Sequence, residues 1–325
     1  MATQSEFENR RRERRRRERL RKKRIRAVII LVVLIGLIAV ICAAISSNNT
    51  DNAENINTEE LQSVEPIAVS TPEPRNTKIL NLPPASEEND LLKIIAKSGQ
   101  SKRCYLTFDD GPTKNITPQV LDALRKYNVK ATFFQVGSYI SSNPDMARRV
   151  YEEGHLIANH SYSHNYNNLY DSEEDFRSEI EKTHKLINEV GNESDGEAFR
   201  LMRFPGGSYN AGDHASEKQA YKKTLKEMDF YYIDWNALNG DAEGKTKNAK
   251  ELLEYLKKSI DGYNNLIVLM HDASTKQATA DSLPSVIEYL TEKGYTFHRL
   301  DDIDYNPEAS ASPTAAVSVG ENEEE

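Results

Sequence analysis

The chain has 325 residues, of which 38% are hydrophobic and 29% charged, and its net charge is −9. This composition excludes a wholly disordered chain and fits one mid-sized globular domain with extensions. The charge is uneven, because residues 1–26 hold 13 Lys and Arg against 4 Asp and Glu, which gives this segment +9 and leaves −18 for the rest. The two parts are therefore expected to face different surroundings.

Residues 27–45 form an apolar run of 19 residues that only Gly36 interrupts. This is close to the roughly 20 residues that a helix needs to cross a bilayer, so we predict a transmembrane signal-anchor helix. The positive-inside rule keeps residues 1–26 in the cytoplasm and sends everything after the helix outside the cell. A cleaved signal peptide is the main alternative, because residues 42–44 resemble a small-residue cleavage site. Since topology explains the basic segment, no nucleic-acid partner is expected.

Two segments have the composition of disordered chain. Residues 46–100 are rich in Asn, Thr, Ser, Glu and Pro, and we predict a disordered extracellular linker there. Residues 306–325 are similar and end in acidic residues, which predicts a disordered acidic tail. The folded domain is therefore expected at residues 101–305.

Within this domain, short apolar β-branched runs alternate with longer helical patterns. Seven strands are predicted, at residues 104–108, 131–136, 156–159, 201–204, 231–235, 266–270 and 296–300. Six helices are predicted between them, at residues 118–127, 145–153, 173–190, 217–228, 248–260 and 283–293. Strands joined by crossover helices pair in parallel, which favours a closed or nearly closed α/β barrel without excluding an open sheet. In either architecture the chemistry belongs at the carboxyl ends of the strands.

Reactive side chains follow several of the predicted strands. His160 and His164 are four residues apart, and on one helical turn both imidazoles could reach one ion. A carboxylate from a neighbouring strand end would complete a set of two histidines and one acid, which leaves coordination positions open for water and substrate. Asp109 and Asp110 end the first strand, where their side chains should diverge, so that one could bind the ion while the other accepts a proton.

The motifs Thr-Phe-Asp-Asp-Gly-Pro at 107–112 and His-Ser-Tyr-Ser-His at 160–164 resemble those of the polysaccharide deacetylase family, the NodB homology domain of carbohydrate esterase family four. The resemblance implies a distorted (β/α)7 barrel. It also implies that Asp110, His160 and His164 hold a divalent metal ion. Asp109 would be the general base, and His271 would be the general acid.

The resemblance assigns further residues to the site. Arg203 would orient the base, Leu269 would line the pocket for the acetyl methyl group, and the main-chain N–H of Gly206 would stabilise the oxyanion. Trp235 is placed with Gly206 and Leu269 among the substrate-binding residues.

The fourth family motif, usually Asp-x-x-Asp-Trp, is altered in this chain. When the motif is aligned on Trp235, its first Asp and its final Trp are replaced, and only Asp241 remains. We predict that Asp241 tunes the catalytic His271, with Asp234 and Asp272 as alternatives.

The resemblance implies a metal-dependent hydrolase that removes N-acetyl groups from amino sugars. A tethered, outward-facing domain would meet cell-wall glycan, so the expected substrate is N-acetylglucosamine or N-acetylmuramic acid of peptidoglycan. The alternatives are a deacetylase of chitin-like oligomers or acetylxylan, and an inert glycan-binding member of the same fold. The expected cofactor is one zinc ion, with cobalt, manganese or nickel as alternatives. We expect a monomer at the cell membrane.

Overall fold

The computed structural model describes residues 82–98, 102–191, 196–209, 214–303 and 305. The predicted basic segment, the predicted transmembrane helix at 27–45 and the predicted tail at 306–325 lie outside these residues, as does most of the predicted linker. Within the described ranges, no helix is both long enough and apolar enough to cross a bilayer.

Eight parallel strands form one sheet, in the order β5-β4-β3-β2-β1-β7-β6, with β8 paired to β1. The strands are β1 (Arg103–Gly111), β2 (Thr132–Gln135), β3 (Leu156–Asn159), β4 (Leu201–Met202), β5 (Tyr231–Tyr232), β6 (Ala237–Leu238), β7 (Leu266–His271) and β8 (Thr296–Phe297). The predicted parallel α/β class is confirmed. No ladder joins β5 to β6 among the described residues, so the barrel is open at this seam.

The sequence did not predict β6. It has two residues and follows β5 after four residues, without a helix between them. So short a segment shows no alternation of apolar and polar residues, and its pairing with β7 alone defines it as a strand.

The described residues contain nine helices. They are α1 (Leu91–Ala96), α2 (Thr117–Lys126), α3 (Gly137–Ser142), α4 (Pro144–Glu152), α5 (Tyr166–Leu169), α6 (Glu173–Val190), α7 (Ala215–Glu227), α8 (Ala249–Ser259) and α9 (Gln277–Glu292). The predicted helix at 173–190 has the observed bounds, because Ser172 caps it and three acidic residues occupy its first turn. The short helices α1, α3 and α5 were not predicted.

Helix α1 corrects the predicted boundary of the linker. Leu91, Ile94 and Ile95 are buried in a cluster that also contains Tyr105 and Phe134 of the sheet. The prediction of disordered chain over 46–100 is therefore wrong for residues 82–98, which belong to the folded domain. The helix is only six residues long, too short for a helical period to be evident.

Both faces of the sheet are covered, so strand β1 is buried along most of its length. Leu106 and Phe108 lie in the cluster that packs against helices, whereas Tyr105 lies in the cluster closed by α1. Successive side chains of a strand point to opposite faces, so Asp109 is expected on the same face as Tyr105. This alternation carries Asp109 to the inner face at the carboxyl end of β1.

Candidate active site

Three side chains at the carboxyl edge of the sheet could share one metal ion. They are Asp110, His160 and His164, which each offer a ligand atom within 4.8 Å of the others. Asp110 Oδ1 lies 3.5 Å from His160 Nε2 and 3.2 Å from His164 Nε2. One carboxylate and two imidazoles are a common ligand set for divalent metals in hydrolases, where they leave coordination positions open for water and substrate. These residues therefore suit the predicted cofactor.

The prediction that the two histidines share a helical turn is wrong. Residues 160–164 form an irregular segment after β3, in which Ser161 and His164 have left-handed φ values of 63° and 51°. The segment is held from outside, because Glu179 Oε2 accepts hydrogen bonds from the backbone N–H groups of Tyr162 (2.9 Å) and Ser163 (2.7 Å). The sequence motif therefore predicts that the two imidazoles lie close together, but it does not predict the backbone conformation that brings them together.

The environment keeps these side chains in forms that can bind a metal. His160 Nδ1 lies 2.9 Å from the carbonyl oxygen of Arg203, which directs Nε2 towards Asp110. Burial and the neighbouring His160 lower the pKa of His164, which favours its neutral form. Burial alone would raise the pKa of Asp110, but the neighbouring His160 and His164 outweigh it and hold that pKa well below its usual range.

Asp109 is buried beside a fully buried arginine. Arg203 Nη1 donates to Asp109 Oδ1 (2.8 Å) and to the Thr107 hydroxyl (2.7 Å). The guanidinium also donates to the carbonyl oxygens of Ile233 and Asp234, both at 3.2 Å. A buried charge is costly unless it is paired and hydrogen-bonded, so these contacts account for Arg203 in the core and fix the orientation of Asp109.

His271 ends β7 and is paired with Asp241. Its Nδ1 lies 2.7 Å from Asp241 Oδ1, while Asp241 Oδ2 accepts from the backbone N–H of His271 (2.8 Å) and from the Thr279 hydroxyl (2.7 Å). Burial alone would lower the pKa of His271, but the hydrogen bond and charge of Asp241 outweigh it and raise that pKa. Of the three carboxylates considered for this role, the structure brings Asp241 to the histidine.

The two alternatives have other partners. Asp234 accepts hydrogen bonds from the N–H (2.8 Å) and the hydroxyl (2.5 Å) of Ser208, and so stabilises the turn that precedes Ser208. Asp272 is fully buried, with Oδ2 accepting from the Thr117 hydroxyl at 2.5 Å. Its Oδ1 has no hydrogen-bond partner among the described residues, and burial raises the pKa of Asp272 to about 7.

The turn after β4 contains the predicted oxyanion donor. Gly206 has a φ of 73°, and a Cβ at this position would lie 2.8 Å from the Tyr166 hydroxyl, so glycine is favoured on both counts. The N–H of Gly207 donates to the Phe204 carbonyl (2.8 Å), whereas the N–H of Gly206 has no acceptor among the described residues. An N–H group in this position is available to a ligand.

The other predicted substrate-binding residues lie around the same edge. Leu269 is buried on β7 next to Thr107 of β1, in the strand that leads to His271. Trp235 packs edge-on against Tyr209, with ring centroids 5.5 Å apart, and lies 5.7 Å from the guanidinium carbon of Arg203. Trp235 therefore packs against Arg203 and against Tyr209 of the turn after β4.

Three supporting residues were missed by the sequence interpretation. Thr107 orients Arg203, Thr279 donates to Asp241, and Glu179 holds the histidine segment. Thr107 stands inside the first motif, so its position was a usable signal. Thr279 and Glu179 lie 38 and 16 residues from their partners on amphipathic helices, where nothing in the local pattern marks them.

Known proteins resemble this chain in sequence and in fold. Residues 96–224 match the family model described as polysaccharide deacetylase. A peptidoglycan-N-acetylglucosamine deacetylase of Listeria monocytogenes is 33% identical over 240 residues, which cover 71% of this chain and 47% of that protein. The chain thus spans about half the length of this relative.

Two further similarities cover most of the matching protein. A peptidoglycan-N-acetylglucosamine deacetylase of Bacillus cereus is 30% identical over 199 residues, which cover 61% of this chain and 86% of that protein. The solved structure of a Streptococcus mutans CE4 esterase is 32% identical, with a TM-score of 0.57, covering 65% of this chain and 90% of that one.

Proposed function

The chain belongs to the polysaccharide deacetylase family, and we propose that it hydrolyses the N-acetyl group of amino sugars in cell-wall polysaccharide and releases acetate. The proposed substrate is N-acetylglucosamine or N-acetylmuramic acid of peptidoglycan. The observation that carries the proposal is the convergence at one sheet edge of a metal-binding triad, a buried carboxylate fixed by an arginine, and a histidine paired with an aspartate. Amide hydrolysis needs a nucleophile, a base, stabilisation of the oxyanion and an acid for the leaving amine.

Asp110, His160 and His164 would hold the divalent ion, and their donor set suits zinc, with cobalt, manganese or nickel as alternatives. When bound, such an ion polarises the acetyl carbonyl and lowers the pKa of water towards about 7. Asp110 is committed to this role by its two imidazole neighbours. That leaves the adjacent Asp109 free for proton transfer.

Asp109 acts as the general base. Arg203 occupies Oδ1 of Asp109, so Oδ2 remains available, and it lies 3.8 Å from His160 Nε2 at the edge of the triad. From this position Oδ2 accepts the proton of the attacking water. Arg203 keeps the carboxylate in one orientation, which favours proton transfer in a fixed direction.

His271 acts as the general acid. Its Nδ1 is engaged by Asp241, so the proton for the leaving amine comes from Nε2. Because Asp241 raises the pKa of His271 against the effect of burial, the imidazolium persists to higher pH than for a free histidine. The N–H of Gly206 stabilises the oxyanion, and Leu269 gives the acetyl methyl an apolar wall.

The proposal includes the place of the protein in the cell. Residues 27–45 anchor a monomer in the membrane with residues 1–26 in the cytoplasm, and the segment up to about residue 81 carries the catalytic domain outward to the wall. The length and apolar composition of residues 27–45 support this arrangement.

The test is acetate release by the purified full-length protein in detergent, from peptidoglycan, chitin oligomers and acetylxylan. Release should disappear with a chelator and return with Zn²⁺ or Co²⁺. Asp109→Asn should abolish release, whereas Asp145→Asn, an exposed aspartate of α4, serves as the matched control. Release from chitin oligomers or acetylxylan but not from peptidoglycan would replace the proposed substrate, and binding of glycan without any release would identify an inert binding protein.

A further inference from the structure

A cavity of about 560 Å³ opens directly beside the metal-binding triad and is lined in part by Asp110 and His164. Its other walls come from the loops that follow β1, β2 and β7. The lining residues include Pro112, Lys114, Asn115, Tyr139, Asn143 and Ser274. A volume of this size is in the range of small-molecule sites, and apart from Asp110 and His164 its lining residues have no part in the proposed mechanism.

The cavity is built from segments that are fixed to one another. Asn115 Nδ2 donates to the carbonyl oxygen of Ser274 (2.8 Å), which ties the loop after β1 to the loop after β7. On the other side, Asn143 Nδ2 donates to the carbonyl oxygen of Pro112 (3.2 Å). Because these bonds join three loops, a ligand meets a largely preformed surface and less ordering is needed on binding.

Tyr139 is the aromatic side chain of this cavity. It lies on α3, and 46% of its surface is exposed although it is a large hydrophobic residue. The flat apolar face of a tyrosine suits the C–H face of a sugar ring, while its hydroxyl remains in solvent. Tyr263 has the same exposed fraction, 46%, and lies outside the cavity.

Lys114 is the one Lys or Arg among the lining residues. It is exposed, and none of the described acidic residues forms an ion pair with it. An unpaired ammonium at the rim of a cleft attracts an anionic ligand, and salt screens this attraction. A sugar that bears a carboxylate could use both the tyrosine face and the lysine charge.

We infer that this cavity holds the sugar adjacent to the one being deacetylated, that Tyr139 stacks on its ring, and that Lys114 pairs with its carboxylate. The inference rests on the proposed deacetylase function and deepens it. N-acetylmuramic acid carries a free lactyl carboxylate or, once that group is amide-linked to a peptide, the carboxylates of the peptide, whereas chitin is neutral. Lys114 is thus a specificity residue that favours muramyl-containing glycan.

The test compares kcat/KM of the full-length protein on three substrates: peptide-bearing peptidoglycan, peptide-stripped glycan chains and a chitin oligomer. Lys114→Met should lower the ratio of muramyl glycan to chitin activity by about threefold to fivefold, as expected for an exposed ion pair. Lys114→Arg should restore it. Loss only on peptide-stripped chains would identify the lactyl carboxylate as the partner, and loss only on peptide-bearing glycan would identify the peptide.

Tyr139→Ala should lower kcat/KM on all three substrates by about tenfold, mainly through KM, because the stacking surface is common to them. Tyr263→Ala and Lys258→Met, both at exposed positions outside the cavity, are the matched controls. The Lys114 preference should also fade in wild type at high salt and be independent of salt in Lys114→Met.

The outcomes separate the two proposals. An unchanged ratio in Lys114→Met, with wild type active on peptidoglycan, overturns the inference alone. Absence of acetate release by metal-loaded wild type from every substrate overturns the proposed function and the inference with it.

Discussion

Replacing Asp241 with Asn tests the general acid most directly. Asp241 Oδ1 lies 2.7 Å from His271 Nδ1 in a buried setting, where hydrogen bonds to charged groups contribute about 1.5–3 kcal/mol. Because Asp241 raises the pKa of His271, its charge favours the imidazolium, and loss of that charge lowers this pKa. At a pH above the basic limb of the wild-type profile, the same free energy corresponds to a fall in protonated His271, and in kcat/KM, of about tenfold to hundredfold.

The substitution also disturbs a second contact. Asp241 Oδ2 accepts from the His271 backbone N–H and from the Thr279 hydroxyl, so an Asn amide group at that position would face a fixed donor. If the side chain turns to avoid this, its NH₂ group meets His271 Nδ1 and favours the neutral tautomer with the proton on Nε2. Either arrangement weakens His271 as a proton donor at high pH.

The assay is acetate release from an N-acetylglucosamine oligomer at saturating metal between pH 5 and 9. The basic limb of kcat/KM should move to lower pH in Asp241→Asn, while the acidic limb stays in place. Asp234→Asn is the control, because Asp234 contacts Ser208 instead of the histidine. A basic limb that does not move in Asp241→Asn would refute the assignment of His271 as the acid tuned by this carboxylate.

Three further substitutions test other parts of the site. Arg203→Ala should lower kcat more than a hundredfold but change zinc affinity by less than about tenfold, because the main-chain carbonyl of residue 203, which orients His160, is retained. Equal fold-losses of zinc affinity, measured by titration calorimetry, and of kcat would contradict this. Gly206→Ala should lower kcat and lower the free energy of unfolding in urea by about 1–2 kcal/mol, because the alanine is strained at a φ of 73° and its Cβ meets the Tyr166 hydroxyl. Adding Tyr166→Phe should relieve the contact with the hydroxyl but not the backbone strain. In the folded protein the pKa of Asp272 is about 7, whereas in the unfolded chain this side chain ionises near pH 4, so the free energy of unfolding falls as pH rises between these values. In metal-free protein, Asp272→Asn should remove up to about 4 kcal/mol of this fall. An unaltered slope of unfolding free energy against pH would refute the assignment.

The long elements of the fold were predictable because each carries its own local signals. Helix α6 has a serine cap, an acidic first turn and an apolar stripe over 18 residues, so both ends could be placed. Helix α1 and strand β6 have six and two residues, and only tertiary contacts define them. In α1 the buried Leu91, Ile94 and Ile95 complete a core whose other members lie far along the chain.

The site was predictable where motif and strand end coincide. Asp109, Asp110 and His271 could be placed because they directly follow the ends of predicted strands, and parallel strands end at one edge. The sequence predicted Asp241 as the partner of His271 but left Asp234 and Asp272 open as alternatives. That choice depends on the path of the chain between β6 and β7, which brings Asp241 back to a residue 30 positions away.

The distribution of charge explains why the triad, among the described residues of the site, is suited to a cation. The base is neutralised by its arginine at 2.8 Å, and the acid by its aspartate at 2.7 Å. Asp110 lies beside His160 and His164, and with both imidazoles neutral, as metal ligands must be, the triad keeps a charge of −1. A divalent ion there would reverse the sign to +1, which complements the single negative charge that develops on the acetyl oxygen. Replacing Asp110 with Asn would leave a charge of +2 on the metal-bound triad and weaken metal binding. Changes at Asp109 or His271 would alter proton transfer without altering the charge of the triad.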